Sequence, residues 1–307
     1  MLPFARSGFL QKIHLLAAFC FGTGMLIEPG WAGASDKITD IPNLCQTDPE
    51  GEFAGDGSQF CAPVAISNSL MWLAKNGYPA LDPTGNGDKA AQLKMVRTLA
   101  SADYLDTDTG KGTNPKKVLL GLTAYLAECG LEAASLQYEG WRAVPEEFAA
   151  GESHPSLSWI KAGSRHEGGA VWLNVGWYRL EGDEYVRHGG HWVTLVGFGV
   201  KADGEEDPDA FIIHNPSPKA GHGAFGDVIY FEKIEDGTLA NGKETIQGLP
   251  RPAKGYYQVT GALPAGANSV AILDGAIVLQ MGGSPATAPE KEAAPSENTF
   301  VGKVRVK

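Results

Sequence analysis

Beyond its first three dozen residues, the sequence has no apolar run long enough to form a transmembrane helix. It also lacks a cluster of basic residues, and its 36 acidic residues outnumber the 25 basic ones, which gives a formal net charge of −11 at pH 7. An acidic chain repels the phosphates of nucleic acids and the headgroups of anionic lipids. We therefore expect no nucleic-acid partner and no stable membrane insertion of the mature chain.

Residues 1–34 predict a cleaved signal peptide. Arg6 and Lys12 form a sparse basic region, residues 13–26 are mostly apolar, and Ala32-Gly33-Ala34 has the small-x-small pattern that signal peptidase reads. The apolar run is short for a membrane span, although a retained anchor helix is the alternative. We expect cleavage after Ala34 and a secreted or periplasmic location.

The rest of the chain divides into a domain over residues 35–283 and a tail over residues 284–307. Seven tryptophans in the chain and a steady supply of Val, Leu and Ile predict a sizeable core for the domain. The tail consists largely of Pro, Ala, Ser, Glu and Lys, a composition that predicts flexibility.

Cysteine is scarce, and the three cysteines after the predicted cleavage site are an odd number. They are Cys45, Cys61 and Cys129. In an oxidising compartment we expect a disulfide between Cys45 and Cys129, which leaves the Cys61 thiol free. The alternative for Cys129 is burial as an unpaired apolar residue.

The order of hydrophobic patterns predicts an α+β domain, with a helical half packed against an antiparallel sheet. Three helices come first, and period-2 alternation follows later in the chain. Gly182-Asp183 separates two alternating runs as a hairpin turn would. The predicted helices cover residues 63–75, 88–100 and 113–130. The first has an apolar stripe of Ile66, Leu70 and Leu73, and the third opens with Thr113-Asn114 as a cap before Pro115. The predicted strands lie near 171–177, 191–197, 211–213, 227–232 and 256–260.

Three residues in this pattern could carry chemistry. Cys61 immediately precedes a predicted helix, where free amide groups and the helix dipole favour a thiolate with a lowered pKa. His191 follows Gly189-Gly190 at the start of a strand, where it could act as a general base and acid. Asn215 ends the next strand, and its side-chain oxygen could accept the imidazole N–H and fix the tautomer. His191 and Asn215 lie 130 and 154 residues beyond Cys61, close to the papain-type separation of about 130–150 residues.

Short segments around these residues resemble the C39-like peptidases of the papain-like clan. Residues 61–70 (CAPVAISNSL) are similar to the Cys-Gly-Pro helix of that family, residues 190–198 (GHWVTLVGF) to its histidine strand, and residues 214–216 (HNP) to its Asp/Asn-Pro turn. The resemblance implies a papain-like fold, a peptide or protein substrate, and hydrolysis of an amide bond through an acyl-enzyme. It implies no cofactor.

The sequence departs from the family in two places. Ala62 replaces the usual glycine after the nucleophile, and Gly55 stands six residues upstream, where the family has a glutamine that completes the oxyanion hole. Gln59 is the nearest residue of that type and is our candidate for this role. A binding module of the same fold with little catalysis and a thiol acyltransferase are the alternatives. His188 and His191 are three residues apart, but they lie at a glycine turn rather than on one helical face, so we expect no metal site.

Overall fold

The computed structural model describes residues 35–282, apart from residues 83, 152–153, 202–204, 224, 241–249, 264 and 267. The predicted signal peptide and the predicted tail, residues 284–307, lie outside these residues. Within them, every helix is too short or too polar to cross a membrane.

The described part contains five α-helices, and the three helices predicted from the sequence are confirmed. The second predicted helix begins after Asp88, whose side chain accepts a hydrogen bond from the amide of Ala91 at 2.8 Å. The third begins after Asn114, which accepts from the amide of Lys117 at 2.9 Å. Such caps satisfy amides that have no partner inside the helix. The helices are α1 Ser35–Asp40, α2 Cys61–Lys75, α3 Lys89–Ala100, α4 Pro115–Glu128 and α5 Leu157–Arg165.

Nine β-strands follow or alternate with the helices. The predicted hairpin turn is confirmed, because Glu181 pairs with Glu184 and Gly182 has a φ of +63°, a conformation that favours glycine. The strands are β1 Ala133–Gly140, β2 Gly169–Glu181, β3 Glu184–Val200, β4 Glu206–His214, β5 Asp227–Lys233, β6 Thr238–Ala240, β7 Arg251–Pro252, β8 Tyr257–Gly261 and β9 Ser269–Met281.

Six of these strands close into an antiparallel barrel. Following the pairing from β2 leads through β3, β4, β5, β8 and β9 and returns to β2. Strand β1 pairs with residues 275–281 of β9, beyond the part of β9 that pairs with β8. Strand β6 pairs in parallel with the start of β3, and β7 pairs with β6. Because the barrel is closed, each of the six strands pairs with a neighbour on both sides.

The prediction of a papain-like α+β fold, with a helical half packed on an antiparallel sheet, is therefore wrong. The structure is dominated by a closed six-strand barrel with three additional strands and few helices. The long strands explain the difference, since β2, β3 and β9 have 13, 17 and 13 residues and pair with different neighbours along their lengths. Strand β9, which closes the barrel against β2, was not among the predicted strands.

Alternate side chains of β2 contribute to two different cores. Leu173 and Val175 belong to the cluster inside the barrel, whereas Trp172 packs in the cluster that contains the helices. Helix α2 lies against the outer face of β2 and β3, and its predicted stripe of Ile66, Leu70 and Leu73 is buried. The start of α2, where Cys61 lies, is thereby fixed against the barrel wall.

The segment before α2 is held by a buried lysine. The ammonium of Lys37 donates to the carbonyls of Ser164, His166 and Gly169 at 2.7, 3.1 and 2.9 Å, and it lies 4.8 Å from the ring centroid of Trp72. Burial lowers the pKa of Lys37 to about 8. The segment is thus an integral layer of the domain.

Candidate functional site

Cys61 is the first residue of α2, and its sulfur lies among backbone amides. The residue before it, Phe60, provides no side-chain cap, so the first amides of the helix remain available. The amides of Cys61 and Ala62 at the helix start, and the amide of Trp192 on β3, are hydrogen-bond donors toward the sulfur. Because Trp192 directly follows His191, helix α2 brings the thiol to the part of β3 where the sequence predicts the base.

The loop that precedes Cys61 is held by Gln46. Its side-chain amide donates to the carbonyls of Gly57 and Ser58 at 3.1 and 2.8 Å. Gly57 has a φ of +71°, and a Cβ atom there would collide with the carbonyl of Gln46. Fifteen residues separate Gln46 from Cys61 in the sequence, so no local pattern indicates this contact. With both amide hydrogens used, Gln46 shapes the loop and is not a free oxyanion donor.

The predicted hydrogen bond between His191 and Asn215 is present. Nε2 of His191 and Oδ1 of Asn215 are 2.8 Å apart. The same oxygen accepts from the backbone amide of Ser217 at 3.0 Å. Because a backbone amide only donates, this second bond identifies Oδ1 as the acceptor, and Nε2 must carry the hydrogen. Nδ1 of the neutral ring is then the atom able to take up a proton.

The imidazole is enclosed by β2 and by the glycines before it. The indole of Trp177 stacks on the His191 ring, with centroids 6.3 Å apart and an interplanar angle of 22°. A Cβ atom at Gly190 would collide with the guanidinium of Arg187. The sequence predicted that the strand starts at His191, after Gly189-Gly190. In the structure both glycines lie within β3, and Gly190 makes room for the arginine.

Cys61 opens into a cavity of about 310 Å³ between α2, the loop before α4 and the hairpin of β2 and β3. Among the described residues, His191 and Asn215 are not part of its lining, although Gly190 and Trp192, the sequence neighbours of His191, are. The lining residues are Gln59, Cys61, Gly110, Lys111, Gly112, Thr113, Asn114, Pro115, Arg142, Asn174, Trp177, Arg187, His188, Gly189, Gly190 and Trp192.

Gln59 shares this cavity with Cys61. Its side chain is half-buried, and its Oε1 lies beside Gly112. A Cβ atom added to Gly112 would lie 3.3 Å from this oxygen. The structure therefore brings the predicted oxyanion candidate to the right cavity, although its amide oxygen faces the loop before α4.

The resting state of the thiol differs from the sequence prediction. Burial raises the pKa of the Cys61 thiol to about 11, and the three surrounding amides act in the opposite direction without overcoming it. The expected lowering of the thiol pKa is therefore wrong for this buried sulfur. At neutral pH the sulfur is protonated.

Burial also lowers the pKa of His191, and the hydrogen bond to Asn215 opposes this shift. The imidazole is neutral at pH 7, which is the form able to accept a proton. Among the described residues no hydrogen bond joins the ring to the sulfur. Catalytic hydrogen bonds are often long before substrate binds and tighten in the complex.

The predicted disulfide between Cys45 and Cys129 is not formed, and Cys45, Cys61 and Cys129 are all free thiols among the described residues. Cys45 lies in the segment before Cys61, and its sulfur is 3.3 Å from the hydroxyl of Thr47. Cys129 is the residue directly after α4, and it interacts with Tyr125. Counting cysteines gives their parity but not the distance between their Cα atoms, which decides whether a bridge can form.

Sequence reasoning missed a buried charged cluster on the wall of the cavity. Arg142 follows β1, Arg187 lies on β3, and both contact Asp274 of β9. Asp274 is the extra residue at a bulge, because Asn174 pairs with Gly275 whereas the next residue of β2 pairs with Leu273. Bulges of this kind often redirect a side chain near functional sites. The position of Arg187, four residues before His191, was the available signal.

Two comparisons with known proteins add no family. No protein-family model and no curated protein sequence matches this chain.

Proposed function

We propose that the chain is a cysteine-dependent hydrolase of amide bonds, most simply a peptidase. Cys61 is the nucleophile, His191 the general base and acid, and Asn215 the residue that orients the imidazole. The observation that carries the proposal is the 2.8 Å bond between Nε2 of His191 and Oδ1 of Asn215. It leaves Nδ1 of His191 as the atom that can accept a proton. The next residue, Trp192, donates its backbone amide toward the Cys61 sulfur.

The reaction starts from a neutral thiol and a neutral imidazole. As the sulfur attacks the carbonyl carbon, its proton passes to Nδ1 of His191, and Asn215 stabilises the imidazolium through Nε2. The imidazolium then donates this proton to the leaving amine, and a thioester remains on Cys61. Water attacks the thioester with His191 again as base, which releases the carboxylic acid and restores the thiol.

The carbonyl oxygen becomes negatively charged in the tetrahedral intermediate and needs donors. The backbone amide of Cys61 at the start of α2 is one such donor, and the positive end of the helix dipole supports it. Gln59 becomes the second donor if its side-chain amide turns from Gly112 toward the sulfur. Removing one such donor typically costs roughly a hundredfold or more in rate.

The resemblance of the segments around Cys61, His191 and Asn215 to C39-like peptidases supports a peptide or protein substrate. An exported location is part of the same proposal and rests on residues 1–34. The protonated thiol suits such a location, since a thiol that ionises only beside its base is protected from oxidation.

Acylation by p-nitrophenyl acetate tests the proposal without knowledge of the natural substrate. We expect release of p-nitrophenolate and an acetyl adduct on Cys61 by mass spectrometry. Cys61→Ala abolishes the adduct, and His191→Ala slows its formation by about 10²–10⁴-fold. Cys129→Ala is the matched control and reacts like the wild type. Acetylation that does not depend on His191 contradicts the proposal.

The second candidate function is a binding module with little turnover. It is favoured by the raised pKa of the Cys61 thiol and by glycine at position 55. In that case p-nitrophenyl acetate modifies Cys61 no faster in the wild type than in the His191→Ala variant. If an acyl-enzyme forms and added amines capture the acyl group in preference to water, the protein is a thiol acyltransferase.

A further inference from the structure

Two buried arginines line the same cavity as the candidate nucleophile. Arg142 and Arg187 are 5% and 6% exposed. Nε of Arg187 donates to Oδ2 of Asp274 at 2.7 Å, and Nη1 of Arg142 lies 3.7 Å from the same oxygen. The other oxygen of Asp274 accepts from the hydroxyl of Tyr178 and from the indole N–H of Trp141. One fully buried carboxylate therefore serves two guanidinium groups.

The single carboxylate of Asp274 contacts two guanidinium groups, and both are charged because arginine stays protonated in proteins. Burial lowers the pKa of Arg142, the neighbouring Arg187 lowers it further, and Asp274 acts in the opposite direction. Nε of Arg142 is buried and has no hydrogen-bond partner among the described residues. An anion at Arg142 would satisfy this donor and offset the repulsion between the two guanidinium groups.

An unpartnered acceptor lines the same cavity. Asn174 is 4% exposed, and its Nδ2 donates to the carbonyl of His191 at 3.4 Å. Its Oδ1 is buried without a hydrogen-bond partner in the described part of the chain. A buried oxygen of this kind is costly unless a donor reaches it. A peptide group offers an N–H for Asn174, and a carboxylate offers an acceptor for Arg142.

We propose that this cavity binds an acidic peptide segment, with a side-chain carboxylate at Arg142 and a backbone N–H at Oδ1 of Asn174. The cavity volume of about 310 Å³ suits a short segment rather than a large ligand. The guanidinium fork matches a carboxylate in geometry. This ligand specifies the substrate of the proposed function. It rests on that function in one respect, namely that Cys61 is the residue that contacts the substrate.

The first test compares two alkylating reagents that differ in charge. Iodoacetate carries a carboxylate, whereas iodoacetamide is neutral and otherwise similar. We expect the ratio of iodoacetate rate to iodoacetamide rate at Cys61 to be about tenfold higher than at the same cysteine in urea-unfolded protein. Arg142→Gln lowers this ratio to the unfolded value. Arg179→Gln, which changes an exposed arginine of β2, leaves it unchanged.

A second measurement covers the case in which Arg142→Gln does not fold. Two small compounds with an amidated α-carboxyl group serve as ligands. In the wild type, N-acetylglutamic acid α-amide, which has a side-chain carboxylate, protects Cys61 from iodoacetamide. N-acetylglutamine α-amide, whose side chain is neutral, does not. A third compound, N-acetylglutamine, has a neutral side chain and a free α-carboxylate. It tests whether the site binds a main-chain carboxylate instead of a side-chain carboxylate. Equal protection by the neutral and the charged side chain, or stronger protection by N-acetylglutamine or by inorganic phosphate, overturns the proposal.

These outcomes are separate from those of the proposed function. Protection reports binding and requires no turnover, so an acidic ligand can protect Cys61 in a protein that never forms an acyl-enzyme. Conversely, acylation by p-nitrophenyl acetate without any charge preference supports the hydrolase and removes the acidic-segment assignment.

Discussion

The backbone amide of Gln46 donates a hydrogen bond to the carbonyl of Pro216 at 2.8 Å, while the side chain of Gln46 holds the loop before Cys61. Pro216 directly follows Asn215. One residue therefore connects the segment before Cys61 to the turn that contains Asn215.

We expect Gln46→Ala to lower both stability and acylation. The substitution leaves the carbonyls of Gly57 and Ser58 without donors at a site where Gln46 is 6% exposed, which costs about 1–3 kcal/mol of unfolding free energy. Urea unfolding followed by tryptophan fluorescence measures this loss. Gln59→Ala is the matched control. It should slow acylation by p-nitrophenyl acetate and leave the unfolding free energy nearly unchanged.

Asn215→Ala should slow acylation by removing the partner of Nε2, so that the imidazole is no longer fixed in the reactive tautomer. The rate should fall by at least about tenfold, less than the loss expected for His191→Ala. Asn215→Asp should raise the pKa of His191, because a carboxylate favours the imidazolium. The acidic limb of the pH–rate profile then moves to higher pH, and an unmoved limb contradicts the assigned role.

The raised pKa of Cys61 predicts how alkylation depends on pH. Since the thiolate is the reactive form, the rate with iodoacetamide should climb by about tenfold per pH unit from pH 7 and should not level off below pH 10. Mass spectrometry of quenched samples gives the rate at Cys61. A plateau near neutral pH would instead reveal a preformed thiolate–imidazolium pair.

The same shift makes stability depend on pH at the alkaline end. The folded pKa of about 11 lies above the ordinary thiol pKa of 9.0, so the contribution of the neutral thiol is fully present below pH 9 and is lost as the pH rises from 9 to 11. The loss is at most about 3 kcal/mol, from 1.36 kcal/mol per unit. Cys61→Ser removes this titration, and the difference between the two proteins in urea unfolding isolates it from buried tyrosines.

Lys37→Met should destabilise the domain at neutral pH. Three backbone carbonyls lose the donor that Lys37 supplies, and the expected cost is about 2–4 kcal/mol. Lys94→Met, a change at an exposed position of α3, is the control and should have little effect. Equal stability of the two variants would mean that water replaces the ammonium at no cost.

Local patterns in the sequence predicted the parts of the fold that depend on neighbouring residues. The stripe of Ile66, Leu70 and Leu73 predicted α2, and Asn114 before a proline predicted the start of α4. The bond between His191 and Asn215 was also predicted, because the sequence pattern placed the two residues at the ends of neighbouring strands. These features require only one element or one strand pair.

The remaining features depend on contacts between distant parts of the chain. Asp274 and Arg187 are 87 residues apart in sequence, and neither has a neighbour that reveals the other. The pairing of β2 with β9 is equally remote, so alternation alone could not distinguish an open sheet from a closed barrel. The thiol pKa depends on how deeply Cys61 is buried, which the position at a helix start does not determine.

Closure of the barrel by β9 also sets an order of events during synthesis. Cys61, His191 and Asn215 are all made before residues 269–281, yet the wall that holds Asp274 and pairs with β2 does not exist until that last strand emerges. Contacts between such distant segments form late and slowly. A growing chain therefore carries Cys61, His191 and Asn215 before the cavity is built, and the cavity is complete only after residues 269–281 have been added.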